Sequence, residues 1–339
     1  MSNPYVFIVG CPRSGTTLLQ RIVDAHPQIA IMSESRWIAE WFEERRGLTL
    51  DGTITSELVS QLFENPRFAR LHIGREKLMT LMRDDGPVSY SSFVADIFDL
   101  YGRRKGKALV GDKTPAYVRR LDILHALWPE ARFVHLIRDG RDVCLSVASW
   151  PKAYQADKPG SYATSMEDPV STIAFWWELN VRRGRQVGGS LQPGLYYEIR
   201  YESLISRPRE ECVSLCAFLG LRYDDAMLRF HEGRTRSGPG LSAKRAWLPI
   251  TLGLRDWRSQ MPAEDVERFE AAAGELLDEL GYSRAFPSPR HESLEGAARA
   301  RGLLGRDPAW IGLCAGRRVL AADEALWCDR TDAGRSGTC

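Results

Sequence analysis

The sequence predicts an α/β protein: three α/β/α layers around a central, mostly parallel sheet, with a helical insertion. Short apolar runs at 5–10 (YVFIVG), 107–111 (KALVG), 132–137 (RFVHLI) and about 194–200 (GLYYEIR) read as buried strands. Each leads into a turn and then a stretch with helical spacing of apolar residues, the alternation that builds parallel sheets. The chain has 339 residues, 44% hydrophobic and 27% charged, which excludes fibrous and wholly disordered classes and allows a sizeable core.

The first run ends in the turn Cys11-Pro12-Arg13-Ser14-Gly15, and Leu18, Leu19, Ile22 and Val23 then space a helix over Thr16 to Ala25. Residues 33–46 read as helical, as do stretches within 55–64, 75–83 and 91–104, with Gly and Pro breaks between them. The region 45–105 is therefore expected to be the helical insertion. After the second strand, Thr114 as N-cap and Pro115 at the first helical position start a helix to about Trp128. Arg138-Asp139-Gly140 turns from the third strand into a helix through Trp150. Residues 151–168 read as a surface loop, 170–186 as a long helix, and 208–219 and 262–280 as further helices. The tail from Pro287 lacks lysine and has weak periodicity. It reads as a partly ordered appendage (287–339) to a domain covering 1–286.

Lys+Arg number 46 against 44 Asp+Glu, a net charge of +2, which argues against a nucleic-acid-coating role. No apolar run approaches the roughly 18 residues of a membrane helix. Met1-Ser2-Asn3-Pro4 leads straight into an apolar strand, with neither a basic leader nor a cleavage site. Seven cysteines, odd in number and without a CxxC pair, suggest reduced thiols rather than a disulfide framework or a zinc site. Together these features predict a cytoplasmic protein; a homo-oligomer is compatible with them.

Gly10-Cys11-Pro12-Arg13-Ser14-Gly15-Thr16-Thr17, between strand and helix, is close to the nucleotide P-loop G-x-x-x-x-G-K-[ST]. Such a turn aims backbone N–H groups and a helix dipole at one anion. The loop lysine that reaches the β/γ-phosphates of ATP is Thr16 here, and the cation sits inside the loop as Arg13. That composition suits a single terminal phosphate better than triphosphate–Mg²⁺ chemistry. A plain strand–turn–helix is the alternative. A second candidate anion grip starts at Arg138, at the end of the third strand, with Ser146 two helical turns on. Ligands of open α/β sheets bind beyond the carboxyl ends of strands, so both grips are expected to face one crevice. Taken alone, Arg138 and Arg141 with Asp139 and Asp142 also read as a surface Arg–Asp network.

The sequence resembles the sulfotransferases that use 3′-phosphoadenosine 5′-phosphosulfate (PAPS), whose fold is P-loop-like. Arg13-Ser14-Gly15-Thr16-Thr17 resembles their 5′-phosphosulfate loop, and Arg138 with Ser146 their 3′-phosphate motif. The likeness continues through Arg200-Tyr201-Glu202-Ser203-Leu204, Pro208, Phe218-Leu219-Gly220, Leu254-Arg255-Asp256-Trp257 and Leu280-Gly281-Tyr282, over about 285 residues. The cytosolic phenol and steroid enzymes place a His base two residues after a Lys. Here Lys113-Thr114-Pro115 puts Pro115 there. Glu34-Ser35-Arg36 instead matches the Glu-x-Arg element of the tyrosylprotein and bacterial branch.

The resemblance implies sulfuryl transfer from PAPS to a hydroxyl or amine, leaving 3′,5′-adenosine bisphosphate, without a metal. Glu34 would be the general base, its pKa raised in a closing cleft. Residue type alone also allows Glu34 to be a first-turn charge on a helix capped by Ser33. Lys113 would contact the bridging oxygen or the sulfuryl group, or else be a surface lysine beside Asp112. Arg13, Ser14, Gly15, Thr16 and Thr17 would hold the 5′-phosphate, and Arg138 and Ser146 the 3′-phosphate. Tyr201 would contact adenine or the 3′-phosphate, or belong to the core. Arg36 would position the acceptor or form an ion pair. Ser242, Lys244 and Arg245 would lie on a cofactor-covering loop or a solvated basic turn. His135, inside an apolar strand, reads as a core histidine. Trp176 and Trp177 read as core or acceptor pocket, and Cys212 and Cys216 as packing residues. The acceptor is expected to be a small molecule, carbohydrate or lipid. A P-loop kinase or nucleotide hydrolase is the alternative; it expects Lys at position 16 and an acidic strand end, for which Asp112 is the one candidate.

Overall fold

The computed structural model describes residues 4–83, 86–149, 167–232, 249–251 and 255–304. Its centre is a five-stranded parallel sheet of order β2-β3-β1-β4-β5, formed by β1 (Val6–Val9), β2 (Ile29–Ser33), β3 (Leu109–Lys113), β4 (Arg132–Ile137) and β5 (Tyr196–Arg200). Successive side chains of a strand face opposite layers. Phe7 and Val9 accordingly join the core under the helical insertion, while Val6 and Ile8 join the one under α1 (Thr16–Asp24). Phe7 stacks on Phe133 of the neighbouring strand with centroids 5.8 Å apart.

The strand β2 is absent from the sequence reading, which starts a helix at residue 33. In the structure Ser33 ends β2, and α2 begins only at Trp37 (Trp37–Glu43). Glu34 and Arg36 have φ of 47° and 56°, values that a right-handed helix cannot contain. The first-turn role for Glu34 is thereby excluded. The insertion follows as α3 (Ser56–Glu64), α4 (Pro66–Ala69), α5 (Arg75–Arg83) and α6 (Tyr90–Lys105). Leu58, Phe68, Phe93 and Ile97 of this region share one buried cluster with Phe7 and Phe133, so it packs directly on the sheet.

The helix expected from Pro115 to Trp128 is divided. Pro115–Arg119 is a 3₁₀ turn and Leu121–Leu127 is α7. Thr114 makes no capping bond because its hydroxyl donates to Asp112 Oδ1 at 2.6 Å. After β4 come α8 (Gly140–Ala148) and the long α9 (Pro169–Ser190). After β5 come α10 (Tyr201–Ser206), α11 (Pro208–Phe218), α12 (Trp257–Gln260), α13 (Ala263–Glu279) and α14 (His291–Leu304). Helix α14 lies within the tail, yet it buries Ala297, Ala300 and Leu304 in the cluster formed by α8, α9 and α13. Trp176 and Trp177 are buried in that cluster too. His135 is buried; its Nδ1 lies 2.6 Å from the Tyr196 hydroxyl, and burial pushes its pKa down to about 3. Cys212 and Cys216 are buried free thiols under α1. Among the described residues no helix is long and apolar enough to cross a membrane.

Candidate active site

Residues at the carboxyl ends of all five strands line one edge of the sheet. In spatial order these are Glu34 after β2, Lys113 closing β3, the loop after β1, Arg138 after β4, and Tyr201 after β5. Neighbouring strands lie about 4.8 Å apart, so Glu34 and Arg138 are three strand steps apart, roughly 14 Å.

The loop after β1 is strained in the way an anion site requires. Arg13 has φ 77°, and Gly15, the residue capping α1, has φ 97°. A Cβ on Gly15 would stand 2.6 Å from the Tyr201 ring, so only glycine lets loop and ring approach this closely. No side chain caps α1, and its first N–H groups are those a helix leaves unbonded. Ser14 is buried with an unpartnered Oγ. Arg13 Nε donates to Ser146 Oγ at 3.1 Å, which brings the two predicted anion grips together. Thr16 is buried, and Thr17 Oγ1 accepts from Lys113 Nζ at 3.3 Å.

In the second grip, Arg138 is buried, donates from Nη2 to Asp142 Oδ2 at 3.1 Å, and lies 4.2 Å over the Tyr201 ring. Its Nε has no partner. Burial raises the pKa of Asp142, and Arg138 opposes that rise. Arg141 plays a different part. It is fully buried, paired with Asp139 at 2.7 Å and Glu270 at 2.6 Å, and stacked 3.7 Å from the Trp257 ring centroid. The remote motifs meet here. Trp257 donates from its backbone to Asp142 at 2.9 Å and from Nε1 to Asp139 at 3.1 Å. Glu202 accepts from the Asp139 N–H at 2.9 Å and from the Tyr282 hydroxyl at 3.0 Å. These side chains brace the turn that carries Arg138.

At the other end, Lys113 is 1% exposed and donates to Glu34 Oε1 at 2.9 Å. Arg67, from α4, donates to the Glu34 carbonyl at 2.9 Å and to Oε2 at 3.4 Å. Arg36 is half exposed and 4.0 Å from Oε2, the ion pair that was one of its two sequence readings. The raised pKa expected for Glu34 is corrected by this cluster. Burial does push it up, but Lys113, then Arg36 and Arg67, outweigh burial and hold the carboxyl at about 2. Next to Lys113, Asp112 is buried beneath the site, and burial pushes its pKa up to about 6. It accepts from the Ser35 N–H at 3.1 Å and from the Thr114 hydroxyl. Both its oxygens thus accept bonds from the protein. Ser242, Lys244 and Arg245 lie outside the described residues.

The model of the sulfotransferase family matches residues 4–225, well over half of the chain. The chain belongs to the sulfotransferase family. This sulfotransferase is 27% identical over 316 residues to the nodulation protein NoeE of Sinorhizobium fredii, covering 87% of this chain and 70% of that one. It is 25% identical over 286 residues to protein-tyrosine sulfotransferase 1 of Danio rerio, covering 82% and 72%. Among solved structures, the sulfotransferase domain of the curacin biosynthetic pathway shares the fold at TM-score 0.56 and 20% identity, covering 83% of this chain and 99% of that one.

One contributor to the site of this sulfotransferase, Arg67, and the role of another, Asp112, are not legible in the sequence. Arg67 follows a helix start capped by Asn65, whose side chain accepts from the Arg67 and Phe68 N–H groups, but no local pattern says that it folds back on a residue 33 positions earlier. Asp112 stands out in the sequence as a neighbour of Lys113 and as an acidic strand end, but not as a partner of Ser35. Its bond to Ser35 depends on the pairing of β2 with β3, and no turn or periodicity signal marks β2 in the sequence.

Proposed function

We propose that this sulfotransferase moves a sulfuryl group from PAPS to an acceptor hydroxyl, with Glu34 as general base and Lys113 as the cation at the leaving oxygen. One observation carries the reading. A single buried ammonium, Lys113 Nζ, bonds both Glu34 at 2.9 Å and Thr17 of the anion loop at 3.3 Å. Proton acceptor and phosphate loop therefore share one cation. The unpartnered Ser14 Oγ, the unpartnered Arg138 Nε and the uncapped start of α1 fit a ligand with two anionic ends.

PAPS supplies an activated sulfuryl group on a phosphate leaving group. Arg13, Ser14, Gly15, Thr16 and Thr17 hold the 5′-phosphate, Arg138 and Ser146 the 3′-phosphate, and Tyr201 the adenine or the 3′-phosphate. Lys113 stabilises charge where it appears, the electrostatic contribution that needs no reorganisation at the moment of reaction. Glu34 takes the hydroxyl proton on a carboxylate oxygen. A carboxyl held at about 2 is a weak base, so Lys113 must turn toward the phosphate side for burial to raise its basicity. Arg36 positions the acceptor.

The acceptor is a small molecule, carbohydrate or lipid. A peptide tyrosine is the second reading, favoured by relatives named protein-tyrosine sulfotransferases. A cytosolic setting is supported by the free, buried Cys11, Cys144, Cys212 and Cys216. The test is transfer of ³⁵S from labelled PAPS to a panel of hydroxyl lipids, glycans, phenols and tyrosine peptides. Labelled product with release of the bisphosphate is expected. Label transfer from γ-³²P-ATP–Mg²⁺ with none from PAPS would overturn the reading.

A further inference from the structure

We propose that Asp112 is a positioning residue for Glu34: it clamps the Glu34–Ser35–Arg36 turn to the end of β3 and so holds the Glu34 carboxylate against Lys113. The inference rests on the reading of Glu34 as the base.

Three consecutive N–H groups of this turn are taken up by three consecutive residues of the adjacent segment. Glu34 N–H donates to the Lys113 carbonyl at 2.8 Å, Ser35 N–H to Asp112 Oδ2 at 3.1 Å, and Arg36 N–H to Thr114 Oγ1 at 3.5 Å. The Thr114 hydroxyl donates in turn to the other oxygen of Asp112 at 2.6 Å. Ser35 Oγ and the Tyr117 hydroxyl, 3.0 Å apart, close the arrangement from below. The turn needs such a clamp because Glu34 and Arg36, neither a glycine, both stand at left-handed φ. Left to local preference they would relax toward ordinary backbone, and the Glu34 side chain would leave Lys113. A carboxylate suits the position because both of its bonds are accepted ones; an amide offers a single acceptor oxygen. Asp112 is fully buried and its two oxygens accept from Ser35 and Thr114, so its effect on Glu34 runs through the turn.

A kinetic double-mutant cycle tests this. Asp112→Ala should lower kcat roughly 100-fold in the wild-type chain, the scale of a misplaced reacting group. In a Glu34→Gln chain the same change should alter kcat by no more than about twofold, because nothing is left to position. The Kd for 3′,5′-adenosine bisphosphate should stay within about twofold in both chains. A residue of merely structural importance would multiply its loss in both backgrounds and weaken nucleotide binding with it. Either of those results, or unchanged kcat for Asp112→Ala alone, overturns the proposal. If Glu34→Gln itself turns over at the wild-type rate, the base assignment has failed, and this inference falls with it for that separate reason. If Asp112→Ala does not fold, as judged by a far-UV circular dichroism spectrum and urea unfolding curve without the wild-type transition, Asp112→Asn enters the same cycle. It retains one acceptor and should lose about 10-fold in kcat, again only where Glu34 is present.

Discussion

Replacing Glu34 by Gln should separate stability, binding and chemistry. The Glu34 carboxyl is held at about 2 against an ordinary 4.5, despite burial that pushes it upward, because Lys113, Arg36 and Arg67 surround it. A folded-state pKa below the unfolded one means that the native state binds fewer protons. The resulting stability is fully present above about pH 4.5 and is lost as pH falls through about 2. Its ceiling is on the order of 3 kcal/mol. Gln keeps an oxygen for Lys113, so the expected loss at pH 7 is smaller, about 1–2 kcal/mol. Urea unfolding at pH 7 and near pH 2.5 should show the wild-type and Gln curves converging in acid. Bisphosphate affinity at pH 7 should hold or tighten, since Lys113 no longer divides its charge with a carboxylate. Turnover should fall by roughly 10²–10⁴, the usual contribution of a general base. Normal turnover with a stability gap that persists unchanged in acid would refute both the charge cluster and the base.

Arg138→Ala should weaken bisphosphate binding by about 1.5–3 kcal/mol, roughly 10- to 150-fold, measured by titration calorimetry; unchanged affinity would remove Arg138 from the 3′-phosphate site. Arg141→Ala should cost stability instead, about 3–5 kcal/mol in denaturant unfolding, because Asp139 and the buried Glu270 lose their common cation. Gly15→Ala should lower both the unfolding midpoint and nucleotide affinity. Its methyl would stand 2.6 Å from the Tyr201 ring at a φ that alanine resists, a strain of about 1–3 kcal/mol.

The central strands and the anion loop are legible in the sequence because their signals are local. An apolar run, a glycine turn and an amphipathic start lie within about twenty residues of each other at Val6–Asp24. Arg138 and Ser146 are legible for the same reason. The edge strand β2 is not, because IAIMS runs into a turn that tertiary bonds to Asp112, Lys113 and Thr114 hold in place. Nor is the low pKa of Glu34. Burial alone gives the opposite sign, and the largest opposing cause is Lys113, 79 positions away, with nearby Arg36 and distant Arg67 adding to it. Trp257, Glu202 and Tyr282 stand out in the sequence as family motifs. Their task, bracing the Arg138 turn, follows only from the bonds to Asp139, Asp142 and one another. Helix α14 hid in a tail of weak periodicity, since it needs only Ala297, Ala300 and Leu304 to dock.

The measurement that bears most directly on the proposed chemistry is isothermal titration of the full chain with 3′,5′-adenosine bisphosphate, in parallel with ATP–Mg²⁺. Two anion grips joined by Arg13 and Ser146, with Thr16 where a kinase keeps lysine, predict micromolar binding of the bisphosphate and little of ATP–Mg²⁺. Tight ATP–Mg²⁺ binding without bisphosphate binding would contradict the assignment of both grips and return the site to triphosphate chemistry.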